Sequence, residues 1–561
     1  MTKKTKGGVS IKTINGKKYY YYQWYENGKR KSKTITEKEY IEYIEDTNYN
    51  VNIVEERKFN DKINVITGSQ LSEMIKVVSA YNKRIIFNDL SKYIESPYNG
   101  KVLILYGLRR TGKTSLIFQS ILNLNDDLSK VAYILVREGA TIDKLNVALD
   151  ELYKQGCKYV YIDEITLIKD FIEGASFLSD VYANVMKIVL SGTDSLGFLI
   201  ASLNQLYDRC IMVHTSYISY KEFSNVLNIN DIDIYIEYGG TMIKEGYNYH
   251  DKIAPMFYDQ ETTLNYIDAS IVHNILHSLD CYKDGNNFDR LKELKYTNDL
   301  PGIINRIIQD LNHRFLASIL NKSFKSTDYG SLKDLMRKNK KSEYLRTFLD
   351  KNIDDNEIYK DLMERLNINA DKYIIEAETL KELENYLYKL EVISYVDVYD
   401  IDNNVKRKRI VFNQPGLRYS LAKGLLETLL NNSKVISLSQ KDLELLLATL
   451  LNDVKGRMLE DIVLLETKKS CAKLSFQAEF QFGEIDMVIY DRITDTCELY
   501  EIKHSNEIHK DQYRHLINEE FITKIEEKYG VISKKIVLYN GKDEIVGNVQ
   551  YRNVEEYLLK M

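Results

Sequence analysis

This sequence has no apolar run approaching the ~18 residues a membrane-spanning helix needs, and no secretory leader is expected at its start. No membrane partner is expected. Cysteine is scarce: five residues, at 157, 210, 281, 471 and 497, with no C-x-x-C pair or other metal-ligand spacing. That pattern argues against a cysteine-built metal centre. It fits reduced core or surface thiols, and hence a cytoplasmic location. Proline is rarer still, at four, and there is one tryptophan, Trp24, against 44 tyrosines. The tyrosine surplus fits an A+T-rich coding sequence and by itself says little about function. What remains is ordinary for a globular chain: 44% hydrophobic and 28% charged residues. A length of 561 residues, at roughly 150 per domain, predicts three to five domains. The net charge of -5 conceals a strong asymmetry along the chain.

The stretch 101–121, KVLILYGLRRTGKTSLIFQSI, organises the reading. An apolar, β-prone run leads into Gly107, Gly112, Lys113 and Thr114 at the spacing G-x-x-x-x-G-K-[ST], and a helix follows. Glycines let backbone N–H groups close around phosphate oxygens, and the helix aims its positive end at them. The expected nucleotide-binding residues are Gly107, Arg110, Thr111, Gly112, Lys113, Thr114 and Ser115. Lys113 serves the β- and γ-phosphates of ATP, and Thr114 serves Mg²⁺. A glycine-rich turn with a surface lysine is the alternative. A second strand, YVYIDEI at 159–165, ends in Asp163, expected in the Mg²⁺ shell, and Glu164, expected to orient and deprotonate the attacking water. A third, MKIVLSG at 186–192, leads into Thr193, where such ATPases place a polar γ-phosphate sensor. Arg209 is a candidate sensor or arginine finger, or else a surface or interhelical ion pair.

Residues 1–33 hold ten Lys or Arg and one acid, Glu26, for a formal charge of +9. Asn15-Gly16 and Asn27-Gly28 are hairpin pairs, which predicts a three-stranded meander. Basic residues interleaved with Tyr19, Tyr21 and Trp24 suit nucleic acid; a lysine-protected sheet edge is the alternative. A helix and linker are expected over 37–60, a helix over about 69–95, and a further strand at 131–136. Strands alternating with helices predict a parallel sheet. Residues 241–370 read as a helical lid. A helix, then a hairpin turning at 402–404, reads as a winged helix, with Lys406, Arg407, Lys408 and Arg409 on the wing or on a solvated strand.

The last 120 residues carry a second constellation. Glu460 lies in a predicted helix over 443–466, Asp486 in a strand over 480–491, and Glu501 and Lys503 in a strand over 498–505. Residues two apart on a strand share a face. The order Glu, Asp, Glu-x-Lys on helix, strand and strand is that of the PD-(D/E)xK nuclease-like fold. Glu460, Asp486 and Glu501 are then expected to hold Mg²⁺, and Lys503 to act on the phosphate or the attacking water. Gln512 is a further candidate contact. His504, His509 and His515 are expected to be surface or phosphate-facing residues, since Mg²⁺ prefers oxygen. Glu-x-Lys alone is a common pattern, so exposed charge on two strands, or a degenerate nuclease fold kept for assembly, stands beside this reading.

Taken together, GLRRTGKTS, YIDEI, LSGTDS, LYDRC…ISYKEF, EYGG at 237–240, QPGLRYS at 414–420, VKGRMLEDIVLLE and GEIDMVIYD…YEIKHS resemble one family. It comprises bacterial and archaeal AAA+-related ATPases with a winged helix and a C-terminal restriction-endonuclease-like domain. Arg109 and Arg110 are typical of that group, and the resemblance spans roughly residues 80–561. It implies a P-loop ATPase core at 60–240, a helical lid at 241–370, a winged helix at 371–430 and a nuclease-like α/β domain at 431–561; with the basic N-terminal β module at 1–36, which lies outside the resemblance, the expected fold is an α/β multidomain chain. The resemblance implies an ATPase and a nuclease fold but no pathway; the first expectation built on it is ATP hydrolysis coupled to a Mg²⁺-dependent nuclease acting on DNA, in a defence or mobile-element role, with a homo-oligomer as one expected assembly. A nucleotide-controlled switch with an inactive docking domain, and an RNA-cutting toxin-like nuclease, are the alternatives.

Overall fold

The computed structural model describes residues 8–14, 17–26, 29–36, 62–124, 128–168, 171–203, 205–215, 217–242, 257–281, 289–325, 362–366, 377–431 and 440–561. It divides into two units, Met1–Lys62 and Ile63–Met561.

In the first unit, β1 (Gly8–Ile14), β2 (Lys17–Glu26) and β3 (Lys29–Ile35) form an antiparallel sheet in the order β1-β2-β3. Tyr21 lies opposite Ser10 on one side and Thr34 on the other. The meander of the sequence is thus present. Its two Asn-Gly pairs and the helix expected over 37–60 lie outside the described residues.

The second unit holds two sheets. The first contains β4 (Ile63–Thr67), β5 (Val102–Tyr106), β6 (Val131–Val136), β7 (Tyr159–Asp163), β8 (Lys187–Gly192) and β9 (Cys210–His214). Their order is β4-β6-β7-β8-β5-β9, with only β4 antiparallel to its neighbour. The continuous apolar runs follow from burial on both faces. Val102 and Ile104 enter one core with helix Ile142–Lys154, while Leu103 and Leu105 enter the other with helix Lys113–Leu122. The single helix expected over 69–95 is two, Gly68–Ile75 and Phe87–Glu95. Arg84, in the break between them, is drawn into a buried ion pair that a continuous helix was not expected to need.

Helices Gln260–Tyr266, His273–Cys281 and Leu300–Lys325 follow, among others; parts of the expected lid lie outside the described residues. Helix Ala377–Lys389 leads to β10 (Ile393–Asp400) and β11 (Val405–Phe412). This hairpin, expected as the wing of a winged helix, forms an edge of the second sheet: β10 runs parallel to β12 (Leu474–Phe480). β13 (Gly483–Asp491), β14 (Thr496–Ile502), β15 (Val531–Tyr539), β16 (Glu544–Val546) and β17 (Val549–Asn553) complete eight strands in the order β11-β10-β12-β13-β14-β15-β17-β16. The long helix Gln440–Ser470 packs on one face through Leu459 and Val463. Helix Glu519–Tyr529 covers the other through Phe521 and Ile525.

Candidate functional sites: a P-loop and a carboxylate–lysine cavity

In the first sheet the carboxyl ends of β5, β8 and β7 lie side by side, where open α/β sheets bind ligands. Gly107 leaves β5 at φ +143°, and a Cβ there would lie 2.4 Å from Thr215 Oγ1 and 2.6 Å from its carbonyl oxygen, so only glycine fits. Gly112, at φ +83°, turns the chain into helix Lys113–Leu122. Lys113 Nζ donates to the carbonyl oxygens of Gly107 and Leu108, both at 2.8 Å. Burial lowers its pKa to about 8, against the pull of Glu164 and Asp163. Thr111 is buried and bonds Leu108 O at 2.8 Å, so its side chain braces the loop. Arg110, at φ +67°, accepts from Met242 N at 2.8 Å through its carbonyl. Ser115 is half-buried in the first turn of the helix.

Thr114 Oγ1 donates to Asp163 Oδ2 at 2.9 Å, and Tyr133 OH donates to the same oxygen at 2.9 Å. Ser191 Oγ donates to Asp163 Oδ1. Glu164 is left-handed at φ +57°, which turns it away from the strand line. Burial, then repulsion by Asp163, raises its pKa, with Lys113 and Arg109 opposing. Thr193 Oγ1 lies 3.4 Å from Glu164 Oε2. Lys113, Thr114, Asp163, Glu164 and Thr193 are therefore one cluster.

Arg209 is not part of it. It precedes β9, and its carbonyl accepts from Val102 N at 3.0 Å, at the start of β5. In parallel strands that end lies across the sheet from the P-loop. Its guanidinium bonds Asp180 at 2.9 Å instead. Within its own chain Arg209 makes an ion pair, the contact expected under the alternative reading. Sequence reasoning also missed Arg84, which donates to Thr111 O at 2.7 Å and pairs with buried Glu222 at 2.5 Å. Its partner lies 138 residues away, which no local pattern reveals.

In the second sheet, Met487 pairs with Tyr500, which sets Asp486 beside Glu501 on neighbouring strands. Both carboxylates are almost fully buried, at 1% and 2% exposure. Asp486 Oδ2 accepts from Ile502 N at 2.7 Å and from Lys503 Nζ at 2.8 Å. Lys503 Nζ also lies 2.5 Å from Glu501 Oε2, so one ammonium bridges both acids. Burial pushes the Asp486 carboxyl up, but Lys503, Lys322 and the Ile502 N–H outweigh it and hold the pKa well below the usual range. Burial and then Asp486 push Glu501 up to about 7. Glu460 lines the same cavity of about 820 Å³ and bonds Arg457 at 2.6 Å.

Among the described residues no group of three or more His, Cys, Asp or Glu side chains is arranged to hold a metal ion. The three expected carboxylates, Glu460, Asp486 and Glu501, line one cavity, but each is held by a cation of the chain. Lys503 stands between two of them and Arg457 holds the third. One feature does fit a cation: Glu501 Oε1 is buried without a hydrogen bond, with His515 Nδ1 3.3 Å away. His515 thus lines the cavity, a position that agrees with the phosphate-facing alternative. His504 faces Asp233 at 3.1 Å, and Gln512 is spent on the backbone of Glu507 and His509. The basic run on β11 is divided. Lys406 and Lys408 are exposed, Arg407 pairs with Glu479, and Arg409 bonds Asp461 at 2.8 Å, so Arg409 is not a free wing residue.

Residues 99–224 match the family model described as AAA domain. No curated protein matches the chain. Among solved structures, similar chains include the Walker-type ATPase PABY2304 of Pyrococcus abyssi, at 12% identity and TM-score 0.25, covering 61% of this chain and 95% of that one. The Aeropyrum pernix ORC1 protein, solved in complex with DNA, is 11% identical at TM-score 0.23, covering 65% and 97%. C. elegans PCH-2 is 18% identical at TM-score 0.18, covering 38% and 62%. The family match falls on the P-loop sheet, and the chain carries an AAA-type ATPase domain there. Among the described residues no helix is long and apolar enough to cross a membrane.

Proposed function

We propose that the chain hydrolyses ATP at the P-loop cluster and cleaves nucleic acid, DNA in the first place, at the C-terminal cavity. The observation that carries the second half is the convergence of Asp486, Glu501 and Lys503 at a single ammonium. At the first site the backbone from Gly107 to Ser115 cradles the phosphates and Lys113 exchanges its two carbonyl partners for phosphate oxygens. Thr114 and Asp163 are the residues that would hold Mg²⁺. Glu164, raised in pKa, takes the proton of the attacking water, and Thr193 senses the γ-phosphate. At the second site Asp486 and Glu501, with Glu460 beside them, would hold Mg²⁺, while Lys503 moves onto the phosphodiester. At both sites the metal supplies charge neutralisation of the oxygens that carry the transition-state charge.

The +9 charge of residues 1–33 supports a nucleic-acid partner for the N-terminal sheet. Residues 241–370 serve as the lid, and the winged helix of 371–430 shares its hairpin with the nuclease-like sheet. Arg209 acts as an arginine finger only toward a neighbouring chain, which ties that role to a homo-oligomer. The chain works in the cytoplasm.

The test is cleavage of single- and double-stranded DNA and of RNA by the full chain, with Mg²⁺, with and without ATP. Asp486→Asn is expected to abolish cleavage and leave ATP turnover intact. Cleavage that survives this substitution overturns the assignment. A second reading, a nucleotide-controlled switch with a docking scaffold, is favoured by the way Lys503 already neutralises both acids. Absence of any Mg²⁺-dependent cleavage selects it.

A further inference from the structure

We propose that Lys322 is a phosphate-binding residue of the second site, supplied by helix Leu300–Lys325 from outside the nuclease-like sheet. This rests on the nucleic-acid reading above and adds to it a substrate contact from the helical segment.

The helix forms one wall of the cavity through Ser318, Ile319, Lys322 and Ser323, facing Asp486 and Glu501. Its backbone is anchored. Phe315, Leu316, Ile319 and Leu320 pack with Leu450, Val454 and Met458 of the long helix, and Ser323 Oγ donates to Asp453 at 2.5 Å. The Lys322 ammonium reaches across to Glu484 Oε1 at 2.9 Å. Glu484 lies two residues before Asp486 on β13, and its other oxygen accepts from Gln477 at 2.5 Å.

Three cations line the cavity, Arg457 on Glu460, Lys503 on Asp486 and Glu501, and Lys322 on half-buried Glu484, and they differ in freedom. The side chain of Arg457 is 20% exposed and that of Lys503 28%, whereas that of Lys322 is 59% exposed. Exposed ion pairs are weak. Nζ can therefore exchange Glu484 for a phosphate oxygen, a charge-assisted contact, without unpacking the helix. A strand whose phosphate reaches Asp486 enters the cavity that this ammonium lines. Cleavage is then sensitive to where the helical segment stands.

The experiment measures binding of a fluorescent single-stranded DNA oligonucleotide to the full chain across a KCl series, for the wild type, Lys322→Ala and Lys322→Arg. Melting curves and ATP turnover verify that each variant folds. Lys322→Ala is expected to weaken binding about tenfold and to flatten the log K against log salt slope by about 0.7, the share of one single-strand phosphate contact. Lys322→Arg is expected to restore both. Wild-type affinity and slope in Lys322→Ala, or an arginine variant as weak as alanine, overturns the proposal. Failure of the nuclease reading is seen separately: cleavage is absent or indifferent to Asp486→Asn, while the slope still responds to Lys322.

Discussion

The two sites present the same residue type in opposite electrostatic situations. Lys113 and Lys503 both follow a buried strand of a sheet packed on both faces, and both lie near a pair of acids. Lys113 rests on two neutral carbonyls, and burial lowers its pKa to about 8. Lys503 rests on two carboxylates, which raise its pKa well above normal despite burial. A buried ammonium with only dipoles for partners is under-compensated, and a polyphosphate relieves it. A buried ammonium between two carboxylates is already compensated, and nothing is gained by an anion until another cation takes its place. The P-loop is thus poised for its ligand, while the second site is held shut by its own lysine. The difference lies in which atoms surround the nitrogen, not in the lysine.

That contrast can be broken at either lysine. The largest effect is expected for Lys113→Ala. Removing the one cation aimed at the β- and γ-phosphates should abolish tight ATP binding and lower turnover by ~10³ or more, with the melting temperature preserved. Nucleotide binding by titration and steady-state turnover measure it, and unchanged turnover in a folded variant refutes the role. Glu164→Gln should act more narrowly. It keeps shape and the Asp163 contacts but removes the base, so ATP binding should persist while turnover falls by ~10². Loss of binding together with turnover would make Glu164 structural.

Much of the first site was legible because its parts are local. Gly107, Gly112, Lys113 and Thr114 sit within eight residues, and Asp163 and Glu164 end an apolar strand. Arg209 stayed open between two readings because its sequence neighbourhood, just before a strand, does not say which end of the sheet it occupies. The second site was legible where strand alternation governs, at Glu501 and Lys503, and at Asp486, which the hairpin brings alongside. Its other members were not. Lys322 and Glu484 meet across 162 residues, and Arg84 meets Glu222 across 138, through tertiary packing that no periodicity encodes. The hairpin at 393–412 had the right strands, but its pairing with β12 is a choice made by the assembled sheet. His515 was set aside on metal preference, whereas its position beside Glu501 depends on the loop that carries it.

The smallest expected change carries the most weight. If Lys503 occupies the place of a divalent cation, Lys503→Ala should bind Mg²⁺ as tightly as the wild type or up to several-fold tighter, because a competing charge is gone. The same variant should lose nucleic-acid cleavage, because the group that acts on the phosphate is gone. The direct measurement is a calorimetric Mg²⁺ titration of the full-length wild type and Lys503→Ala, without nucleotide, paired with the cleavage assay on the same preparations. Retained or strengthened Mg²⁺ binding with lost cleavage is the predicted result. Mg²⁺ binding that weakens tenfold or more in Lys503→Ala, or that is absent from both proteins, would contradict the account.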